Sequence, residues 1–176
     1  MSLTQYYTAT TLDGFIASPD DSLDWLFVRE QDHEGPLNYY GFVADVGAAA
    51  MGATTYEWIL ERHSEEWPYD FPCWVFTHRD LPTRPDVQLV SGDVSPVHRE
   101  LVAAAGGKNV WIVGGGELVG QFADVGLLDE VIVFIACVTL GAGKPLLPRR
   151  LELRLEETAR SVDFVVARYS VAREAA

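Results

Sequence analysis

The chain has 176 residues, 48% of them apolar, and its 26 acidic against 13 basic side chains give a formal net charge of −13. This length and composition suit one domain over residues 1–176 with a sheet buried on both faces, and the acidic balance without a basic cluster argues against nucleic acid or anionic membrane as partners. Cys73 and Cys137 lie far apart in strand-like runs, which predicts two buried thiols in a reducing cytoplasm; four scattered histidines offer no metal spacing, and no stretch has a signal-peptide pattern or membrane-spanning length.

Leu3 to Thr10, rich in Tyr and Thr, reads as a first strand that ends at Leu12-Asp13-Gly14, and Phe15-Ile16-Ala17 continues it to a turn at residues 18–22. Ser22 to Phe27 predicts a short helix capped by Ser22 or Asp24, and Leu37 to Val43 predicts a second. Gly47 to Met51 is a strand made almost wholly of alanine, so a neighbour must approach it closely. Gly52 ends it, and Thr54 to Arg62 has helical spacing, with Thr54 and Thr55 either capping the helix or facing a ligand. Cys73 to Thr77 is the next strand, and Thr77-His78-Arg79 brings a hydroxyl and two potential cations to its carboxyl end, where ligands of α/β folds bind. Val87 to Ser91 is a further strand, and Ser95-Pro96 opens a helix running to Ala105.

Val110 to Val113 then form an apolar, β-branched and aromatic run that breaks into Gly114-Gly115-Gly116 and resumes with helical spacing at Leu118, Val119, Phe122 and Val125. Such a strand, glycine turn and helix leave unobstructed amides at the positive end of a helix, suited to a phosphate or pyrophosphate. The same glycines would equally permit tight packing. The turn lies too late in the chain for a Rossmann fingerprint, and Gly143-Lys144 is followed by Pro145 where a P-loop needs Ser or Thr. Val131 to Val138 predicts a central strand. The period-2 sets Leu151, Leu153, Leu155 and Val165, Ala167, Tyr169, Val171 predict a C-terminal antiparallel hairpin. The order of elements implies a three-layer α/β/α domain around a mostly parallel sheet.

Four stretches together resemble the dihydrofolate reductase-like superfamily, and within it the C-terminal reductase domain of the riboflavin-biosynthesis deaminase/reductase. They are Ala9 to Ala17, Met51 to Glu57, Val75 to Arg79, and Trp111 to Val119 continuing through Leu128-Asp129-Glu130 to Gly143. The resemblance implies an NADPH-dependent reductase, with NADH as the other candidate donor, acting on a pteridine- or pyrimidine-like small molecule. It also implies a homodimer, for which the surplus of aromatics at Trp67, Tyr69 and Trp74 supplies candidate contacts.

Carried over by position, the resemblance places Gly114, Gly115, Gly116, Glu117 and Leu118 around the pyrophosphate, with Gly52, Thr54 and Thr55 on the same phosphates. Thr77, His78 and Arg79 would meet the 2′-phosphate. Ala9, Gly14, Ile16 and Ala17 would line the nicotinamide, and Asp13 would orient substrate. Three departures stand out. Ala53-Thr54 replaces the basic pair common after the second strand, Val113 replaces an acidic residue before the glycine turn, and Glu57-Trp58 replaces an aspartate-proline motif. The first weakens the preference for NADPH, and the other two point away from the riboflavin substrate. A second reading is a non-catalytic nucleotide- or flavin-binding module of the same fold.

Overall fold

The computed structural model describes residues 2–63 and 65–172. Its centre is β1 (Thr4–Thr11), which pairs in parallel with β6 (Asn109–Gly114) on one side and β7 (Glu130–Ala136) on the other. Beyond β6 the parallel sheet continues through β3 (Val46–Gly52), β4 (Cys73–Phe76) and β5 (Val87–Val90). Beyond β7 it turns antiparallel, with β10 (Phe164–Val171) and then β9 (Leu153–Ser161) at the edge. The order is therefore β5-β4-β3-β6-β1-β7-β10-β9, the expected mostly parallel sheet with a C-terminal hairpin. A separate two-stranded ribbon joins β2 (Phe15–Ala17) to β8 (Lys144–Pro145).

Helices cover both faces. The short α1 (Asp24–Phe27), α2 (Tyr39–Ala44) and α3 (Ala53–Arg62) lie on one face, over an aromatic cluster of Tyr7, Phe42, Tyr56, Trp111, Phe134 and Phe164. On the other face α4 (Val94–Ala104) and α5 (Gly116–Asp124) pack Val97, Leu101, Val119 and Phe122 onto Tyr6, Val110 and Ile112. The alanine strand β3 separates the two clusters: Ala49 faces the aromatic side, and Ala48 and Ala50 face α4. Close approach is the reason for its small residues, since a Cβ on Gly47 would stand 2.2 Å from the Ala105 carbonyl oxygen.

Several local expectations are corrected. Asp93, not Ser95, caps α4, its carboxylate accepting from the Ser95 amide at 2.8 Å. Asn38 caps α2 by accepting from the Gly41 amide at 2.9 Å, so that helix starts two residues after Leu37. Strand β7 ends at Ala136, which leaves Cys137 exposed while Cys73 is buried as expected. Trp74 is buried, and Trp67 and Tyr69 pack edge-to-face against each other beside the aromatic cluster, so these aromatics do not form an exposed contact surface. The exposed apolar residues are elsewhere. Leu155, 56% exposed, pairs across the hairpin with Tyr169, and Leu153 and Val165 are exposed beside it. A shallow groove on the same sheet face is lined by Val131, Val133, Leu146, Leu147, Leu151 and Leu153. In β10, Phe164 and Val166 are buried against the aromatic cluster, and of the predicted set Ala167 is buried while Val165 is exposed. Among the described residues no helix is long and apolar enough to cross a membrane, and no cluster of His, Cys, Asp or Glu could hold a metal ion.

Candidate functional site

Strands β3 and β6 are neighbours whose carboxyl ends meet at Met51 and Gly114, and each runs directly into a helix. Gly52 is the N-cap of α3 and Gly115 the N-cap of α5, and neither helix has a side-chain cap hydrogen bond. A Cβ on Gly52 would stand 3.8 Å from the Gly114 carbonyl oxygen and 4.0 Å from the Gly115 nitrogen. Two helix starts thus lie side by side, and their first-turn amides lack side-chain acceptors. Each start carries the equivalent of about half a positive charge.

These starts form one wall of a cavity of about 930 Å³, near the upper end of the roughly 300–1,000 Å³ typical of ligand sites. Gly52, Thr54, Thr55, Gly114, Gly115, Gly116, Glu117 and Leu118 all line it, as do Ala9, Ile16 and Ala17. The three glycines of the turn have different reasons to be glycine. Gly114 has φ +150°, outside the range comfortable for other residues, and its peptide bond to Gly115 is cis. Gly116 is a packing requirement, because a Cβ there would come within 2.4 Å of the Pro145 and Leu146 carbonyl oxygens. Gly115 has ordinary dihedrals, and an added Cβ would meet only the Ile16 Cδ1 at 3.8 Å. Its absent side chain leaves open space over the amides.

Thr54 and Thr55 are the second and third residues of α3 rather than its caps, and among the described residues their hydroxyls have no hydrogen-bond partner. Thr77, His78 and Arg79 follow β4 beside α3 but do not line the cavity. The Arg79 guanidinium is held in a two-pronged pair by Glu57, at 2.7 and 3.0 Å, and the Arg79 amide donates to Thr77 Oγ1 at 2.9 Å. Gly14 and Asp13 do not line the cavity either. Gly14 takes φ +83° in the turn after β1. The Asp13 carboxylate accepts from Thr11 Oγ1 at 2.6 Å, the Gly141 amide at 2.7 Å and the Leu140 amide at 3.1 Å. The Thr11 bond first, and then these amides, hold Asp13 below the ordinary carboxylate range. Its carboxylate fastens the loop at residues 140 and 141 to the turn after β1.

Much of the remaining lining is aromatic and was not anticipated. Tyr7, Tyr39, Tyr69, Trp111, Phe134 and Phe164 belong to it, as do Phe27 and Trp58. Trp111 Nε1 donates to the Tyr7 carbonyl at 3.2 Å, and Tyr7, stacked on Phe42 with centroids 4.2 Å apart, donates its hydroxyl to the Leu37 carbonyl at 3.1 Å. Burial, with Tyr39 adding to it, pushes the Tyr7 and Tyr69 phenols far above their ordinary value, and burial raises Tyr39 as well. All three therefore remain protonated donors at neutral pH. Strand alternation held the signal for this lining: counting back by two from Ala9 reaches Tyr7, and from Val113 reaches Trp111. Phe134 follows from β1–β7 register, being the partner of Ala9. At the edge, Arg62 lies 4.4 Å from the Phe27 ring and 4.6 Å from the Trp58 ring, tying α1 to α3.

Comparison with known proteins places this arrangement. The chain is 33% identical over 170 residues to the uncharacterized protein YwjB of Bacillus subtilis (strain 168), covering 94% of this chain and 96% of that protein. The crystal structure of a putative riboflavin biosynthesis protein from Shewanella sp. PV-4 superposes with a TM-score of 0.82 at 25% identity, over 97% of this chain and 99% of that one. The Thermotoga maritima diaminohydroxyphosphoribosylaminopyrimidine deaminase/5-amino-6-(5-phosphoribosylamino)uracil reductase shares the fold at 17% identity and a TM-score of 0.64, with 97% of this chain matching 57% of that longer one. The RibD C-terminal domain family matches residues 67–163, more than half of the chain, and the chain belongs to that family.

Proposed function

We propose that the protein is a nicotinamide-dinucleotide-dependent reductase, using NADPH and accepting NADH, that reduces a flat, conjugated small molecule of pteridine- or pyrimidine-like shape. The observation that carries this reading is the meeting of two helix starts without side-chain caps at a cavity whose remaining lining is largely aromatic. The helix starts fit a pyrophosphate, held by amides of α3 and α5 and by the Thr54 and Thr55 hydroxyls, which have no partner among the described residues. Open space at Gly115, bounded by Ile16, gives such a group access to those amides.

When bound, the dinucleotide supplies the hydride. The chain's own residues bind, orient and keep water out. Ala9, Ile16 and Ala17 offer a small apolar surface for one ring, and Tyr7, Trp111, Phe134 and Phe164 offer flat surfaces for another. Holding the two in contact is the main catalytic task of such a site. Because Tyr39 and Tyr69 remain protonated, they can donate hydrogen bonds to a substrate heteroatom without carrying charge. The uncovered apolar face of β9 and β10 supports a homodimer in which a second copy covers it.

The test is a titration of NADPH followed by tryptophan fluorescence, with Gly115→Ala and Ile16→Phe as variants. Each narrows the space over the amides, and Ile16→Phe does so without altering the glycine turn. Each should weaken binding about tenfold, a loss of about 1.4 kcal/mol, with the melting temperature retained. Unchanged affinity in both would place the dinucleotide elsewhere. Dinucleotide binding without NADPH oxidation across folates, pterins and ribosylaminopyrimidines would favour a non-catalytic binding module.

A further inference from the structure

Four charged side chains line the cavity: Asp21, Arg29, Glu117 and Lys144. Three are already neutralised by ion pairs, Lys144 with Asp21 at 3.5 Å and Glu117 with Arg149 at 2.7 Å. Arg29 makes no ion pair with any described residue, and its Nε is buried without a hydrogen-bond acceptor among them. A buried guanidinium nitrogen without an acceptor is costly, and in a chain of net charge −13 the want of a carboxylate partner is informative.

The backbone around Arg29 is fixed. The Glu30 amide donates to Asp163 Oδ2 at 2.9 Å, the Asp163 amide returns a bond to the Glu30 carbonyl at 3.1 Å, and the Asp32 amide donates to Ser161 Oγ at 2.8 Å. These bonds clip residues 30 and 32 to the turn between β9 and β10, while Arg29 and Gln31 line the cavity. That turn leads into Phe164, a residue of the aromatic lining. A cation and an amide are thus presented beside a flat aromatic surface by a segment held at both even positions.

We propose that Arg29, with Gln31, is a specificity-determining anchor for an anionic substituent on an aromatic ring system bound against the aromatic lining of the cavity. Carboxylate and phosphate monoester share the chemistry that the guanidinium recognises, two or more acceptor oxygens with negative charge. The described lining contributes phenol donors, and its two carboxylates, Asp21 and Glu117, are both ion-paired, so it favours rings whose edge accepts hydrogen bonds over rings with an amidine-like donor edge. This inference rests on the reading that the dinucleotide takes the part of the cavity beside the glycine turn.

The test uses ring probes matched in shape: 2-naphthoate, 2-naphthyl phosphate and the neutral methyl 2-naphthoate, titrated by tryptophan fluorescence with and without saturating NADPH. The wild type should bind at least one of the anions about tenfold tighter than the ester, as one good charge-assisted contact gives. The tighter of the two anions identifies the carboxylate or the phosphate source. Arg29→Gln should erase that discrimination while leaving ester and NADPH affinities unchanged, and Arg29→Lys should recover part of it. Equal binding of anions and ester by the wild type overturns the proposal, as does discrimination that survives in Arg29→Gln. If NADPH fails to bind while the anion discrimination is present, the cofactor reading fails and the Arg29 anchor stands.

Discussion

The contact between Glu57 and Arg79 has a direct consequence for cofactor choice. If Thr77, His78 and Arg79 meet the 2′-phosphate of NADPH, the guanidinium that should attract the phosphate is already paired with a carboxylate at 2.7 Å. Both side chains are substantially exposed, at 55% and 39%, so the pair itself adds little to stability. Its effect on a dianion is larger than its effect on folding. A phosphate on the free edge of the guanidinium would stand about 7 Å from the carboxylate, where two unit charges repel by roughly 0.6 kcal/mol in water. A phosphate of charge near −1.5 to −2 would then lose about 1 kcal/mol, or about fivefold in affinity.

Glu57→Gln keeps the shape and removes the charge. NADPH should bind about fivefold tighter to the variant, NADH should be nearly unaffected, and the gain should shrink as salt screens the exposed charges. Parallel fluorescence titrations of both cofactors at two salt concentrations measure this. Equal improvement for NADPH and NADH, or no change in either with the melting temperature preserved, would refute the placement of the 2′-phosphate on Arg79.

Two further outcomes are expected. Leu155→Arg places a charge in the uncovered apolar face of β9 and β10, and sedimentation equilibrium at micromolar concentration should show a dimeric wild type and a monomeric variant; a monomeric wild type would remove the dimer proposal. Asp13→Asn should lower the melting temperature at neutral pH. Because folding depresses the Asp13 carboxyl below its ordinary value of 3.8, the stabilisation is present above that pH and is lost as pH falls through the folded value, so the deficit of the variant should close in acid. A deficit that persists unchanged at pH 3 would assign it to something other than the carboxylate.

Much of the fold was legible because its signals are local and repeated. Apolar runs at Val110–Val113 and Val131–Ala136 marked buried parallel strands, and the alanines of β3 announced a close neighbour before α4 was placed there. The glycine turn was legible as a passage from buried strand to helix, but its three residues were not separable. Only the position of Pro145 and Leu146 shows that Gly116 answers packing while Gly115 leaves space. The aromatic lining was missed for a different reason. Tyr7, Tyr39, Tyr69 and Trp111 come from separate elements, and an aromatic in a strand is more often core than ligand surface. Arg29 was illegible, since nothing local distinguishes it from other surface arginines. Its proposed role comes from the partners that the other three charges find and that it does not find among the described residues. Cys137 misled because the strand it was expected to extend stops one residue earlier.

Asp13 and the glycine turn belong to one mechanical unit. Asp13 fastens Leu140 and Gly141 to the turn after β1, and Gly143 lets the loop run so close to Ala17 that a Cβ would meet its carbonyl oxygen at 2.2 Å. The Leu146 amide then donates to the Gly14 carbonyl at 2.9 Å, and Pro145 and Leu146 press their carbonyls against Gly116 at the start of α5. Ile16 therefore stands over Gly115, with Ala17 next to it in the chain, because the loop from residue 140 to 146 clamps the β1–β2 turn to the helix start. In the proposed reading these two residues face one ring of the dinucleotide and the Gly115 amide its phosphates, so the clamp sets the distance between the two subsites. Asp13 can thus matter to activity at a distance from the chemistry. The spacing it sets depends on backbone bonds and glycine contacts across the β1–β2 turn, the loop and α5, and a misplacement of about 1 Å at such a site can cost about a hundredfold in rate.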